Sequence, residues 1–405
     1  GGVLAFCGSL VVAELSCMYP EAGGAYVFIR EGYGRPLAFL YGWTRLLLLT
    51  PASFGAMSLI LGAYLAPLIP GEPIGERFIA AVVIMVVTAL NFRSLLLSAW
   101  LENSLTGLKL LFLGFLAVAM LVWGTGSTGA FSEGITMAPA SWGGFGLALV
   151  TVMWTYSGWS SVAALAGEVK DPARVLPRAL MGGIASVLLV YLLTNAAFLY
   201  VLPIQAMAAS DMVAADAARA SLGPWGGTLI SLVVVVATFG AVQAAMMFNP
   251  RIFYAMARDG LLFSPIGEVH SRFLTPHMAT LFTALLGVVY VMSRSFEQLA
   301  QTFILGVWPF HILMVGAVFI FRRTRPDAPR PYRTWGYPVV PGIFLVAAAA
   351  MVLNALIQEP GMTLFSFGLI LSGLPVYYLF LRGQPGEPQD PRSRAHEPPR
   401  QEVSP

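Results

Sequence analysis

Eleven apolar stretches divide this 405-residue chain, and most are about as long as a bilayer is thick. A helix needs about 20 residues to cross the hydrocarbon core, where each backbone polar group must be paired internally. Charged residues make up only 11% of the chain, against about 25% in an average soluble protein. The pattern predicts an all-α membrane protein with one helical bundle over residues 1–382. The stretches are 1–18, 36–66, 77–92, 100–123, 144–166, 179–202, 226–250, 277–293, 299–321, 338–357 and 361–381.

Positive charge is distributed unevenly between the loops. Most of the Lys and Arg residues fall in alternate loops and in the tail, whereas the opposite loops hold only Arg77, Arg219 and Arg294. The positive-inside rule then predicts a cytoplasmic C-terminus. We expect the protein in the plasma (inner) membrane. An odd number of spans places Gly1 outside, so we expect one further helix before it. Residues 383–405 are polar and rich in Pro, Arg and Glu, and we expect a disordered cytoplasmic tail.

Features of other classes of protein are missing from the sequence. The basic loops are explained by membrane orientation, so no nucleic-acid partner is expected. Cys7 and Cys17 lie about 15 Å apart along one helix and cannot bridge, and we expect no disulfide-linked subunit. No phosphate-binding Gly-rich loop and no metal-ligand spacing occurs, so we expect no cofactor, no metal and no enzyme activity. The histidines are His270, His277, His311 and His396.

Ionisable residues within the apolar stretches are candidates for function, because their burial in lipid is costly. Lys109 lies roughly 10–13 Å inside its span and either snorkels to the interface or has a role in transport coupling. Arg45 is about nine residues into its span, beside Trp43, and for it we favour snorkelling. Glu14 is expected to pair with a loop or with backbone. His311 either packs as a polar residue or lines a cavity.

The sequence Trp-Thr-Tyr-Ser-Gly-Trp at 154–159 interrupts its apolar stretch near the centre. Glycine is unfavourable in a helix interior, and together with Tyr156 and Ser157 it suggests locally unwound backbone. Non-helical backbone at membrane depth is tolerated only where it lines a cavity or is buried in protein. The ends of two half-helices can bind the charged groups of a zwitterion. A glycine at a closely packed contact between two helices would give the same sequence pattern.

Several longer segments resemble amino acid permeases of the amino acid–polyamine–organocation transporter superfamily. The resemblance extends from Gly1 to about Arg382. Its motifs are Ala13-Glu-Leu, Pro20-Glu-Ala-Gly-Gly-Ala-Tyr, Arg30-Glu-Gly-Tyr-Gly, Leu40-Tyr-Gly-Trp, Tyr156-Ser-Gly-Trp, Gly167-Glu-Val-Lys-Asp-Pro, Leu176-Pro-Arg-Ala, Pro250-Arg-Ile-Phe-Tyr-Ala-Met-Ala-Arg-Asp-Gly and Arg325-Pro-Asp-Ala-Pro-Arg-Pro-Tyr-Arg.

The resemblance implies a fold and a set of site residues. The family fold has twelve helices, the first ten in two inverted repeats of five, and this chain would begin at helix two with eleven of the twelve. Residues 156–159 match the break in helix six and, with Trp154 as an aromatic gate, would bind substrate. Lys109 matches a lysine thought to contact the broken first helix, where related carriers hold a cation. Gln243 either lines the cavity or makes an interhelical contact.

The resemblance also indicates the substrate. Ser157 stands where many bacterial relatives have Asp, so a strongly cationic substrate has no evident acidic partner. The expected function is therefore secondary active transport of a small, neutral amino acid by alternating access, through exchange or proton coupling. Lys109 would either exchange a proton or act as a fixed cation between the broken helices. A non-transporting fragment or scaffold is the alternative, and a membrane-embedded enzyme is less favoured.

Overall fold

The computed structural model describes residues 1–70, 74–93, 95–124, 126, 142–210, 212–262 and 277–382. Within these ranges the chain is helical and contains no β-strand, so the predicted all-α class is confirmed. The tail at 383–405 lies outside the described residues, as do His270 and His396.

Each apolar stretch of the sequence coincides with helical structure. The first part of the chain forms α1 (Gly2–Met18), α2 (Ala25–Tyr33), α3 (Arg35–Thr44), α4 (Thr50–Leu65), α5 (Glu76–Arg93) and α6 (Leu95–Trp123). The middle part forms α7 (Trp142–Thr155), a 3₁₀ segment (Ser161–Glu168), α8 (Pro172–Val201), α9 (Ile204–Ala208), α10 (Val213–Leu222) and α11 (Pro224–Arg258). The last part forms α12 (His277–Ser293), α13 (Phe296–Thr324), α14 (Val339–Gln358), α15 (Pro360–Leu371) and α16 (Gly373–Val376).

The helices differ in how well each could span a membrane alone. Among the described residues, seven helical segments are long and apolar enough to cross a bilayer. Helices α1, α7 and α12 are apolar but shorter, and α5 has charged residues at both ends. The predicted span at 144–166 is therefore divided, with α7 forming its first part and the 3₁₀ segment completing it.

Two groups of packed helices can be distinguished within the bundle. Helix α1 packs against α8 and also contacts the 3₁₀ segment, whereas α4 packs against α5, α11 and α12. Helix α13 contacts members of both groups. Residues 7–17 of α1 are buried on every side, as expected of a helix that is apolar all round. The 3₁₀ segment after the break contacts α8 and α11 as well as α1, so it lies between the two groups.

The long span at 36–66 is irregular next to Pro51. A π-helical turn, Arg45–Leu49, joins α3 to α4. Proline has no N–H and clashes with the carbonyl four residues earlier, which here belongs to Leu47. The hydroxyl of Tyr290 on α12 donates to that carbonyl at 2.7 Å. A side chain from another helix thus satisfies the acceptor that the proline leaves unpaired.

The Gly-Gly pair before α2 fits closely against the 3₁₀ segment. The N–H of Gly23 donates to the carbonyl of Ala164 at 3.2 Å. Gly24 has φ 52°, and a Cβ there would lie 2.7 Å from the backbone nitrogen of Ala164. A side chain at this position would therefore push the loop away from the 3₁₀ segment.

We expect Gly24→Ala to lower the free energy of unfolding in detergent by about 1–3 kcal/mol, because the methyl group meets backbone atoms that cannot rotate away. The matched control is Gly342→Ala on α14, where a Cβ meets nothing within 4 Å. That control should keep or slightly raise stability, by about 0.4–1 kcal/mol. Equal stability of the two variants would show that the close approach at Gly24 is unimportant.

Candidate functional site

The helix is broken at the predicted place. Helix α7 ends at Thr155, residues 156–160 form turns, and the 3₁₀ segment begins at Ser161. Gly158 has φ 90°, and a Cβ there would meet nothing within 4 Å. The N–H of Ser157 donates to the carbonyl of Trp154 at 3.0 Å, and that of Ser161 to the carbonyl of Gly158 at 2.9 Å. Regular i to i−4 pairing is thus replaced by tight turns.

A tyrosine from α8 holds the end of α7. The Tyr191 hydroxyl donates to the carbonyl of Thr155 at 2.9 Å. The Tyr191 ring also meets Tyr156 edge to face, with centroids 5.1 Å apart. The last carbonyl of the half-helix is therefore paired by a side chain that sequence reasoning missed. A tyrosine within an otherwise apolar span was the signal available.

The predicted site residues at the break have different environments. Trp154 is half-buried and meets Phe303 of α13 edge to face at 5.1 Å. Tyr156 is buried, whereas Ser157 and Gly158 are exposed. Trp159 packs against Phe344, with ring centroids 5.9 Å apart. The break thus presents a polar, open turn between two aromatic contacts.

Lys109 and Gln243 lie on helices that meet each other. Lys109 on α6 is half-buried, and its Nζ is 3.3 Å from the position of a Cβ on Gly240 of α11. The Oε1 of Gln243, also on α11, accepts a hydrogen bond from Asn91 of α5 at 3.1 Å. Gln243 thus makes a hydrogen bond between two helices. Its Nε2 is buried without a partner among the described residues.

Arg45 and His311 are two further ionisable residues on packed elements near the break. The Arg45 guanidinium lies over the ring of Tyr41, 5.6 Å from its centroid, and its Nε is buried without a hydrogen-bond partner in the described chain. His311 is 8% exposed, and its Nδ1 likewise has no partner there. Its ring centroid is 5.2 Å from Trp159 and 5.4 Å from Trp308.

The position of Arg45 differs from the snorkelling that we favoured. Its guanidinium reaches back only to Tyr41, one helical turn away, which is about 5.4 Å of rise. Arg35, the residue that begins α3, is roughly 15 Å away along the helix. Arg45 therefore stays within the span instead of reaching the interface.

Glu14 is paired, as predicted. Arg322 donates to both of its carboxylate oxygens, at 3.1 and 2.8 Å, and the N–H of Thr334 donates at 2.6 Å. The Nε of Arg330 lies 3.4 Å from Oε1. The Glu14 side chain is fully buried. We call Glu14, Arg322, Arg330 and Thr334 the Glu14 cluster, which joins α1 to the end of α13 and the following loop.

A second set of ionic contacts lies at the same end of the bundle. Arg30 on α2 donates to Asp259 at 2.7 Å, and the Tyr26 hydroxyl donates to the same oxygen at 2.6 Å. Burial, and then the charge of Asp259, raise the pKa of Tyr26 above its ordinary value, so its hydroxyl remains a donor. Arg325 binds Glu31 at 3.0 Å. These contacts tie α2 to the ends of α11 and α13.

Apolar helices of membrane-spanning length, one of them broken within the span, define an integral membrane protein built like a transporter. The chain belongs to the amino acid permease family, because the family model described as "Amino acid permease" matches residues 1–380. This family has the helical transporter fold that the sequence motifs implied.

Characterised relatives match over most of the chain. The serine/threonine exchanger SteT of Bacillus subtilis is 30% identical over 93% of this chain and 86% of its own length. The human b(0,+)-type amino acid transporter 1 is 30% identical over 94% of this chain and 79% of its own. The human cystine/glutamate transporter is 29% identical over 94% of this chain and 76% of its own.

Proposed function

We propose that this protein is a secondary active transporter of small, neutral amino acids, working by alternating access. The observation that carries the proposal is the open turn at residues 156–160, which divides a helix within an amino acid permease fold. The N–H groups and carbonyls released at such a break suit the carboxylate and ammonium groups of an amino acid. Trp154, Tyr156, Ser157, Gly158 and Trp159 are the proposed substrate-binding residues.

The surroundings of the break support a small neutral substrate. The turn lies between Trp154 and Trp159, and neither these residues nor Ser157 supplies a carboxylate for a cationic side chain. A relative named as a serine/threonine exchanger is consistent with this class, and its name favours exchange over uptake of a single substrate.

The direct test is uptake of labelled L-serine by proteoliposomes that contain the purified protein. Exchange predicts uptake that depends on unlabelled serine inside the vesicles. Proton coupling predicts uptake that depends on an inward proton gradient without internal amino acid. Saturable uptake in either mode supports the proposal, whereas no uptake of serine, alanine or threonine above empty vesicles refutes it.

Lys109 is the proposed coupling residue, and Lys109→Ala should change transport. A flattened dependence of rate on pH would favour proton exchange by the lysine, and a lower rate with the wild-type profile would favour a fixed cation between the helices. Serine uptake is measured from mildly acidic to mildly alkaline pH. Lys170→Ala, in an exposed turn before α8, is the control. Full activity with an unchanged profile would exclude both roles.

We also infer that the C-terminus faces the cytoplasm of the plasma (inner) membrane. The arginine-rich loop after α13 and the charge of the tail support this orientation. Protease digestion of right-side-out and inverted vesicles tests it. The tail should be cleaved only in the inverted vesicles, and cleavage from the outside would reverse the assignment.

A further inference from the structure

We propose that Arg45 and His311 form an anion-binding position that takes the side-chain carboxylate of an acidic amino acid, so that aspartate or glutamate is carried in addition to neutral substrates. This inference rests on the proposed function, because it adds a substrate class to the same pathway. Arg45 begins the π-helical turn after α3, His311 lies in α13, and His311 contacts the broken helix through Trp159.

Both residues lie deep within their spans. Arg45 follows Arg35, where α3 begins, by about ten residues or roughly 15 Å. His311 precedes Thr324, the end of α13, by about thirteen residues or roughly 20 Å. The hydrocarbon core is about 30 Å thick, so both positions are near its middle. An ionisable residue at that depth is costly and usually marks a substrate or ion path.

The charge of Arg45 has no counter-ion among the residues that the structure describes. Glu14, the carboxylate buried in α1, is already bound by Arg322 and Arg330. The ring of Tyr41 offers only a cation–π contact, which is weaker than an ion pair. The buried Nε keeps an unused donor. An anion that binds during transport would supply the missing charge and acceptors.

His311 connects this charge to the proposed substrate site. Its ring lies between Trp159 of the break and Trp308 of its own helix. Tyr41, the ring beneath Arg45, meets Phe310, the neighbour of His311, edge to face at 5.3 Å. The π-helical turn that starts at Arg45 packs against α13, and such turns are frequent at functional sites. An amino acid held by its backbone at the break could thus extend a side chain toward the pair.

The chemistry of the pair favours a carboxylate. A guanidinium presents parallel N–H donors that match the two oxygens of a carboxylate. A ring nitrogen of His311 can add one further donor. Chloride would also be attracted by the positive charge, but a single spherical ion cannot accept the two parallel hydrogen bonds of the planar guanidinium. A carboxylate on the substrate would neutralise Arg45 only while substrate is bound.

The test compares uptake of labelled L-glutamate and L-serine by proteoliposomes that contain wild type, Arg45→Gln, Arg45→Lys or His311→Gln. Wild type should take up glutamate, and unlabelled serine should compete. Arg45→Gln should lower the ratio of glutamate to serine uptake about tenfold or more, because a charged hydrogen bond is lost. Arg45→Lys keeps the positive charge but lacks the parallel N–H donors of a guanidinium, so its ratio of glutamate to serine uptake should be intermediate. The control Arg323→Gln, at an exposed position of α13, should keep the wild-type ratio.

Other outcomes would overturn the proposal. Serine uptake by wild type with neither glutamate uptake nor inhibition by glutamate or aspartate would refute it while leaving the proposed function intact. An unchanged ratio in Arg45→Gln and His311→Gln would do the same. If Arg45→Gln does not fold, Arg45→Lys and His311→Gln decide. Thermal stability in detergent gives a further outcome. If chloride raises the unfolding temperature of wild type but not of Arg45→Gln, and glutamate raises neither, the position binds an inorganic anion instead. Absence of all uptake would instead refute the proposed function, and with it this inference.

Discussion

Replacing Glu14 by alanine should lower the free energy of unfolding by about 3–5 kcal/mol, because it removes one partner of a buried ion pair. Glu14 is fully buried, and its carboxylate accepts hydrogen bonds from Arg322 and from the backbone of Thr334. Without it, Arg322 and the almost fully buried Arg330 would retain positive charge with no counter-ion from α1. Unfolding in mixed detergent micelles, followed by tryptophan fluorescence, measures the change.

Two adjacent arginines allow a matched comparison, one of them in contact with Glu14 and the other exposed. Arg322→Gln removes the bidentate partner of Glu14 and should also be strongly destabilising. Arg323→Gln changes the next residue, which is exposed, and should alter stability by no more than about 0.5 kcal/mol. A loss below about 1 kcal/mol in Glu14→Ala would place the Glu14 cluster among weak surface ion pairs and contradict the prediction.

Gly158→Leu should lower amino acid uptake about 100-fold or more while the protein remains folded. The residue has φ 90° and open space around its Cβ position, so leucine adds backbone strain of about 1–3 kcal/mol without a steric clash. The side chain would fill the open turn where the substrate backbone is proposed to bind, and small displacements of a bound group can reduce rates by such factors. Serine uptake is measured beside size-exclusion profiles of the purified variant.

The control for this substitution is Gly182→Leu. Gly182 lies in α8, where a Cβ also meets nothing within 4 Å, but the backbone there is helical. That variant should transport like wild type. Uptake by Gly158→Leu within about twofold of the control would mean that the turn at 156–160 does not hold the substrate, which would remove the main support for the proposed function.

The helical spans, and the two places where they are irregular, could be predicted from the sequence. Lipid offers no partners to backbone N–H and carbonyl groups, so an apolar stretch of sufficient length has to become a helix. Pro51 and Gly158 interrupt that rule through their own backbone chemistry, and the chain deviates next to each. These effects depend on a residue and its neighbours within about one turn, which a sequence shows directly.

The sequence by itself thus determined the class of protein, the order of helices and the position of the break, whereas the tertiary structure decided the partners of the polar residues. Glu14 could be predicted to pair but not to pair with Arg322, and Tyr191 and Tyr290 gave no sign of the carbonyls that they bind. Arg45 was expected to snorkel, yet its guanidinium lies over Tyr41 within the span. The reason is that a partner on another helix depends on the rotation and relative height of both helices, and these follow from packing over the whole bundle.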